Sequence, residues 1–266
     1  MIPDEGLQSY VRSNGTCRHI ILIDPAEQKP EIAATRALIA IEEGSKMIFV
    51  GGSTDTPNEI VHSTCLAIQE ALELRVFAAS QHPDQDENEW KIPVILFPGG
   101  AHAISPAADG ITFIMLMNSK SRQWLIGEQL LGAPHLLEHG IEPISTGYIL
   151  CYPGGKVGEI GQAELIMSDE TSLIKNYAIT AKMYGMSTIY LEAGSGAASP
   201  VSKDLIQSAS EIEDLTLIVG GGIKDAKSAA TAAIAGADWI VTGSITEELS
   251  DTGQLRQLLK EVISVI

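Results

Sequence analysis

The chain has 266 residues, 19% of them charged and 45% hydrophobic, and its 17 Lys and Arg against 34 Asp and Glu leave a formal charge of −17. That balance excludes a nucleic-acid partner, which calls for a basic stripe, and electrostatic docking to anionic lipid. Any phosphate in a ligand must be held locally, by backbone N–H groups, a few cations or a metal, against a repulsive overall field.

The start of the chain, Met1 to Tyr10, is polar and carries two acids, unlike a secretory signal. No apolar run approaches the roughly 18 residues that cross a bilayer. Cys17, Cys65 and Cys151 are widely spaced and form no CxxC pair, so they read as small core hydrophobes of a reducing compartment. The expectation is a cytoplasmic protein.

In chain order, short apolar runs predict strands over residues 20–24, 47–50, 94–97, 111–117, 145–151, 188–191, 216–219 and 239–242. They are continuous rather than alternating, as parallel strands covered on both faces are. Apolar spacing of three or four predicts helices between them, over 31–43, 58–74, 122–137, 172–184, 201–210, 226–235 and 254–263. The segment 101–110 is short and poor in periodicity, which makes the helix there the weakest expectation. Eight strands alternating with about eight helices predict a closed (β/α)₈ TIM barrel, a fold of about 250 residues. Without a Pro/Gly/Ser linker between compositional halves, residues 1–266 read as one domain. The polar stretch 81–89 falls between a helix and a strand, on the face away from chemistry.

Active sites of such barrels are built from the loops after the strands. These read Asp24-Pro25, Gly51-Gly52-Ser53, Pro98-Gly99-Gly100, Asn118-Ser119, Pro153-Gly154-Gly155, Glu192-Ala193-Gly194-Ser195-Gly196, Gly220-Gly221-Gly222 and Gly243-Ser244. Glycine lets backbone N–H groups approach an anion, and phosphate commonly sits after the last two strands of this fold. The loops after strands six to eight therefore predict a site for a phosphorylated small substrate. Asp24 and Ser53, a carboxylate and a hydroxyl, suit Mg2+, although an acid at a strand end also caps helices. Glu192 points by position into the mouth, to hold a substrate hydroxyl, accept its proton, or pair with a nearby Lys or N–H. The H-x-x-E-H pattern of His135, Glu138 and His139 belongs to some zinc peptidases, but it falls at a helix end on the stability face.

These strand ends resemble a known family. Asp24-Pro25, Val50 to Ser53, Phe97-Pro98-Gly99, Asn118-Ser119, Tyr190 to Ala197 (YLEAGSGA), Val219 to Ile223, and Gly236-Ala237-Asp238 leading to Gly243-Ser244 look like geranylgeranylglyceryl phosphate synthase, in order and over nearly the whole chain. The resemblance implies a prenyltransferase that begins archaeal ether-lipid synthesis. Such enzymes join sn-glycerol 1-phosphate to geranylgeranyl diphosphate with magnesium and release diphosphate. By position, Asp24 and Ser53 would hold the metal. Tyr190, Leu191, Glu192, Ala193, Gly194, Ser195, Gly196, Gly221, Gly222, Gly243 and Ser244 would surround glycerol phosphate, with Glu192 on the glycerol hydroxyls. The prenyl chain needs an apolar groove, for which Trp124, Leu125, Ile126, Tyr148 and Tyr177 are candidates. Family members are usually dimers or hexamers. Where the family commonly carries a charged residue after Asp-Pro, this chain has Ala26. The alternatives are a bacterial relative using a longer donor, a phosphosugar isomerase or aldolase, and a phosphate-binding barrel without catalysis.

Overall fold

The computed structural model describes residues 6–12, 15–52, 56–247, 249 and 251–266. Eight strands, β1 (Arg18–Ile23), β2 (Met47–Val50), β3 (Val94–Leu96), β4 (Gly110–Leu116), β5 (Glu142–Leu150), β6 (Thr188–Glu192), β7 (Thr216–Gly220) and β8 (Trp239–Thr242), pair in parallel and in chain order. β8 returns to β1 through the register Ile20↔Val241, so the sheet closes on itself. The helices are α1 (Leu7–Val11), α2 (Pro30–Glu42), α3 (Asn58–Ser80), α4 (Glu128–His139), α5 (Gly155–Ile160), α6 (Thr171–Met183), α7 (Lys203–Ser210), α8 (Ala226–Ile234), α9 (Ser244–Glu247) and α10 (Thr252–Ile263).

The (β/α)₈ expectation stands, with differences that have physical causes. α3 runs on to Ser80 because Leu74 and Phe77, exposed at 70% and 67%, break the apolar spacing without breaking the helix. α1 and α5 are too short to display a period. No helix forms over 101–110; this segment is irregular, with Ala103 in the left-handed region at φ 67. The stretch 81–89 lies between α3 and β3, opposite the rim that carries the strand ends, and closes with a short 3₁₀ turn at Glu87–Trp90.

β3 is three residues long, and it pairs with β4 only at Ile95↔Gly110 and Leu96↔Ile111. From Thr112 onwards β4 has no ladder partner on that side. The missing helix and the short strand together leave a gap between α3 and α4. Before α4 the chain makes a wide π turn at Gln123–Gly127, a feature often found at functional sites.

Inside the barrel, Ile20, Met47, Phe49, Ile95, Leu150, Ile218 and Trp239 pack as one core, and helices cover the outer faces of the strands. α1 closes the floor. Leu7 is fully buried, and Trp239 Nε1 donates to Val11 O at 2.8 Å. The Arg18 guanidinium lies 3.8 Å over the Trp239 ring while donating to Tyr10 O at 2.7 Å. Leu7→Ala leaves a hole where α1 meets the barrel and should cost about 3 kcal/mol of stability. Urea denaturation measures this, and a loss near zero would show that α1 is not part of the folded core.

Candidate active site

The loops after β6, β7 and β8 do converge. Ser195 Oγ lies 2.9 Å from Ser244 Oγ, and Ala193 N–H donates to Gly220 O at 3.1 Å. Gly221 and Gly222 adopt φ +77° and +70°, which disfavour any side chain, and a Cβ on Gly222 would stand 2.6 Å from Ser199 O. Tyr190, Glu192, Ser195, Gly196, Gly221, Gly222, Gly243 and Ser244 all line one open cavity at the rim. Three expected contact residues do not. Leu191 and Ala193 are buried in the shell between barrel and helices. Gly194 spends its N–H on Glu192 Oε1 at 2.6 Å and is not free for phosphate.

Glu192 closes β6 and is 6% exposed. Burial pushes its pKa up to about 7, against the Gly194 N–H and the nearby Tyr190 hydroxyl, which favour the ionised form. The Tyr190 hydroxyl is itself buried and finds no aligned hydrogen-bond partner among the described residues. A Cβ on Gly221 would overlap Glu192 Oε1, so glycine at that position is what gives the carboxylate its place. A carboxyl that titrates near neutrality beside an anion pocket can hold a hydroxyl and take its proton.

Beside the β8 loop, Asp24 stands just after β1, the strand that pairs with β8. Its Oδ1 accepts Ala26 N–H at 2.9 Å, and its own N–H donates to Glu247 Oε1 at 3.1 Å. Burial raises the Asp24 pKa, while the Lys156 charge opposes the rise. Glu247, pushed up to about 7 by burial and then by Asp24 and Glu27, is a second rim carboxyl that the glycine motifs do not point to. Its signal is an acid three positions after Gly243-Ser244. Among the described residues no three His, Cys, Asp or Glu side chains gather into a cage. The donor set of Asp24 and Glu247, two hard carboxylates at an open mouth, nevertheless fits Mg2+, which completes its shell with water and substrate oxygens. Ser53, the other expected ligand, lies outside the described residues.

The same cavity continues between the irregular segment after β3 and α4, along Phe97, Ile104, Ile111, Phe113, Trp124 and Leu136. Its walls there are apolar. Tyr148 also lines it, edge-on to Tyr190 at 5.1 Å between ring centroids. Leu125, Ile126 and Tyr177, expected at the groove, do not line it; Ile126 turns to solvent and Tyr177 packs on the outer shell. Asn118 and Ser119 are buried and act as struts. Asn118 joins Leu150 and Glu164 carbonyls, and Ser119 donates to Gly161 O at 2.6 Å.

Other candidates fall elsewhere. His135, Glu138 and His139 are exposed on α4. Lys120 pairs with Glu164 at 3.0 Å, and among the described residues no lysine is buried as Schiff-base chemistry requires. Burial raises the three thiols to about 12, which leaves them unreactive.

A closed barrel whose rim joins a glycine-built anion pocket to a long apolar slot defines a phosphate-binding enzyme for an amphiphilic reaction. The chain belongs to the PcrB family, which matches residues 13–263. It is 40% identical to geranylgeranylglyceryl phosphate synthase of Methanococcoides burtonii, over 99% of this chain and 98% of that protein. It is 33% identical, at a TM-score of 0.84, to the crystal structure of (S)-3-O-geranylgeranylglyceryl phosphate synthase from Thermoplasma acidophilum in complex with its substrate sn-glycerol-1-phosphate, covering 95% of this chain and 94% of that one. The wild-type synthase from Thermoplasma volcanium is similar at a TM-score of 0.86 and 36% identity, covering 100% and 98%.

In the ligand-free protein, Glu192 and Glu247 keep their protons up to about pH 7, whereas unfolded glutamates release theirs near 4.3. The folded state binds more protons across that window, so stability falls as pH rises through it. Glu192→Gln should therefore match the wild type at pH 4 and exceed it by about 3 kcal/mol above pH 7. Urea titrations across pH check this, and parallel profiles would refute a buried, proton-holding Glu192.

Proposed function

We propose that this protein is a prenyltransferase that joins sn-glycerol 1-phosphate to geranylgeranyl diphosphate through an ether bond and releases diphosphate. One observation carries the reading: a single cavity has a polar, glycine-built end at Ser195, Gly222 and Ser244, an apolar end between the segment after β3 and α4, and Glu192 in its wall. The relatives that bear this activity by name span nearly the whole chain.

The polar end would hold the phosphate of glycerol phosphate by serine hydroxyls and the glycine backbone. The apolar slot would take the prenyl chain, with burial contributing roughly 0.8 kcal/mol per CH₂ before losses. The C–O bond between the allylic carbon and diphosphate breaks, its electron pair leaving with diphosphate. The glycerol hydroxyl oxygen bonds to that carbon, and its proton passes to ionised Glu192. Asp24 and Glu247 would hold magnesium. When bound, the ion supplies positive charge against the leaving diphosphate.

No helix among the described residues is long and apolar enough to cross a membrane. The family resemblance also leads us to propose a homo-oligomer, dimer or hexamer. Leu130, Leu131 and Leu137 on α4, 57%, 65% and 86% exposed, offer an apolar face for a second copy; light scattering that gives a monomer at micromolar concentration would reject it.

Diphosphate release, assayed with sn-glycerol 1-phosphate and prenyl donors of graded length, should be fastest with the twenty-carbon donor. Chelation by EDTA and the Asp24→Ala substitution should each lower it about a thousandfold, the scale of several kcal/mol of lost transition-state stabilisation. No release from any prenyl donor would sink the assignment, and full activity in EDTA would sink the metal.

A further inference from the structure

The irregular segment between β3 and β4 has no helix of its own, and α3 holds it with a row of polar side chains. Asn58, His62 and Gln69 recur at i, i+4 and i+11, which sets them along one face of the helix. Asn58 Oδ1 accepts the N–H groups of Ala103 at 2.6 Å and Ile104 at 3.3 Å. His62 Nδ1 lies 2.9 Å from Ser105 Oγ, which is fully buried and also accepts Ala107 N–H at 3.1 Å. Gln69 donates to Ala107 O at 3.1 Å and to Asp109 Oδ2 at 3.0 Å, and that same oxygen accepts Val94 N–H at 2.9 Å where β3 begins.

Asparagine at a helix start ordinarily caps its own helix. α3 instead follows Pro57 with no side-chain cap, and the Asn58 oxygen goes to the neighbouring segment. Ala103 at φ 67 carries a Cβ in a conformation that persists only where surroundings fix it. From the other side Glu128 Oε2 accepts Ala101 N–H at 2.7 Å. The segment held in this way is functional surface, because Gly100, Ala101 and Ile104 line the apolar slot.

We propose that Asn58 is a positioning residue for the prenyl donor, fixing the slot wall through the Ala103 and Ile104 N–H groups while lying outside the cavity lining itself. This rests on the reading of the slot as the donor site. Orphaning two N–H groups lets the wall move, which weakens donor binding and leaves the glycerol phosphate pocket, on the opposite rim, as it was.

Asn58→Leu, of similar size without the acceptor, and Asn58→Asp, which keeps it, separate this role from bulk stability. In Asn58→Leu, hydrogen exchange over residues 100–105 should quicken and KM for geranylgeranyl diphosphate rise about tenfold, the scale of one lost hydrogen bond. KM for sn-glycerol 1-phosphate and kcat should stay unchanged, and Asn58→Asp should restore the wild-type values. If Asn58→Leu does not fold, Asn58→Ser, too short to reach the segment, takes its place. Unaltered exchange over 100–105, an equal rise in both KM values, or no rescue by Asn58→Asp overturns the proposal alone. A wild-type protein that turns over no prenyl donor overturns the functional reading, and this one with it.

Discussion

Backbone N–H and C=O groups cannot stay unpaired inside a protein, and that obligation bears hardest where β3 and β4 part company. The last pairing of the two strands is Leu96↔Ile111, yet β4 runs on to Leu116. In an ordinary barrel a longer neighbouring strand would pair these groups, and a crossover helix would pack over the two. Here Thr112 Oγ1 donates to Leu96 O at 3.1 Å, and the Gln129 amide reaches across to Ile114 O. The segment outside is tied by α3 on one side and Glu128 on the other. Because these bonds take the place of packed helix side chains, the volume such side chains would fill stays open as a slot. Gln129 Oε1 has no partner among the described residues, and the side chain lines the cavity.

The rim joins two unlike electrostatic problems. Glu192, Asp24 and Glu247 are carboxyls driven towards their neutral forms by burial, in a chain whose formal charge is already −17. The groups expected to visit the rim are polyanions. The cavity offers such a group backbone N–H groups, the Ser195 and Ser244 hydroxyls and one cation, Lys224 beside the β7 loop, while the acids are left to cations and protons. The two sets adjoin: Ser244 and Glu247 are the ends of α9, and Glu247 accepts the N–H of Asp24, just after the strand that pairs with β8.

Much of this was legible in the chain itself. Strand runs that end in glycine carry the barrel, since parallel strands covered on both faces need continuous apolar residues and tight exits. Asp24, Glu192 and the last three glycine loops follow from strand-end position alone. What stayed hidden depends on distance in space. Glu247 joins the site by accepting the N–H of Asp24, more than two hundred positions earlier, a partnership that its place just after Gly243-Ser244 does not reveal. Leu191 and Ala193 sit within the same motif as Glu192 but alternate to the outer face, a consequence of strand pleating that the motif conceals. The absence of a helix over 101–110 shows only as weak periodicity, and the residues that compensate for it sit on α3, about forty positions earlier.

One end of the barrel admits nothing. With α1 seated on it, Trp239 and Arg18 locked beneath and Leu7 filling the axis, the tube is blind. Among the described residues traffic along the axis is ruled out, so reactants and products come and go at the rim and along the slot that opens from it.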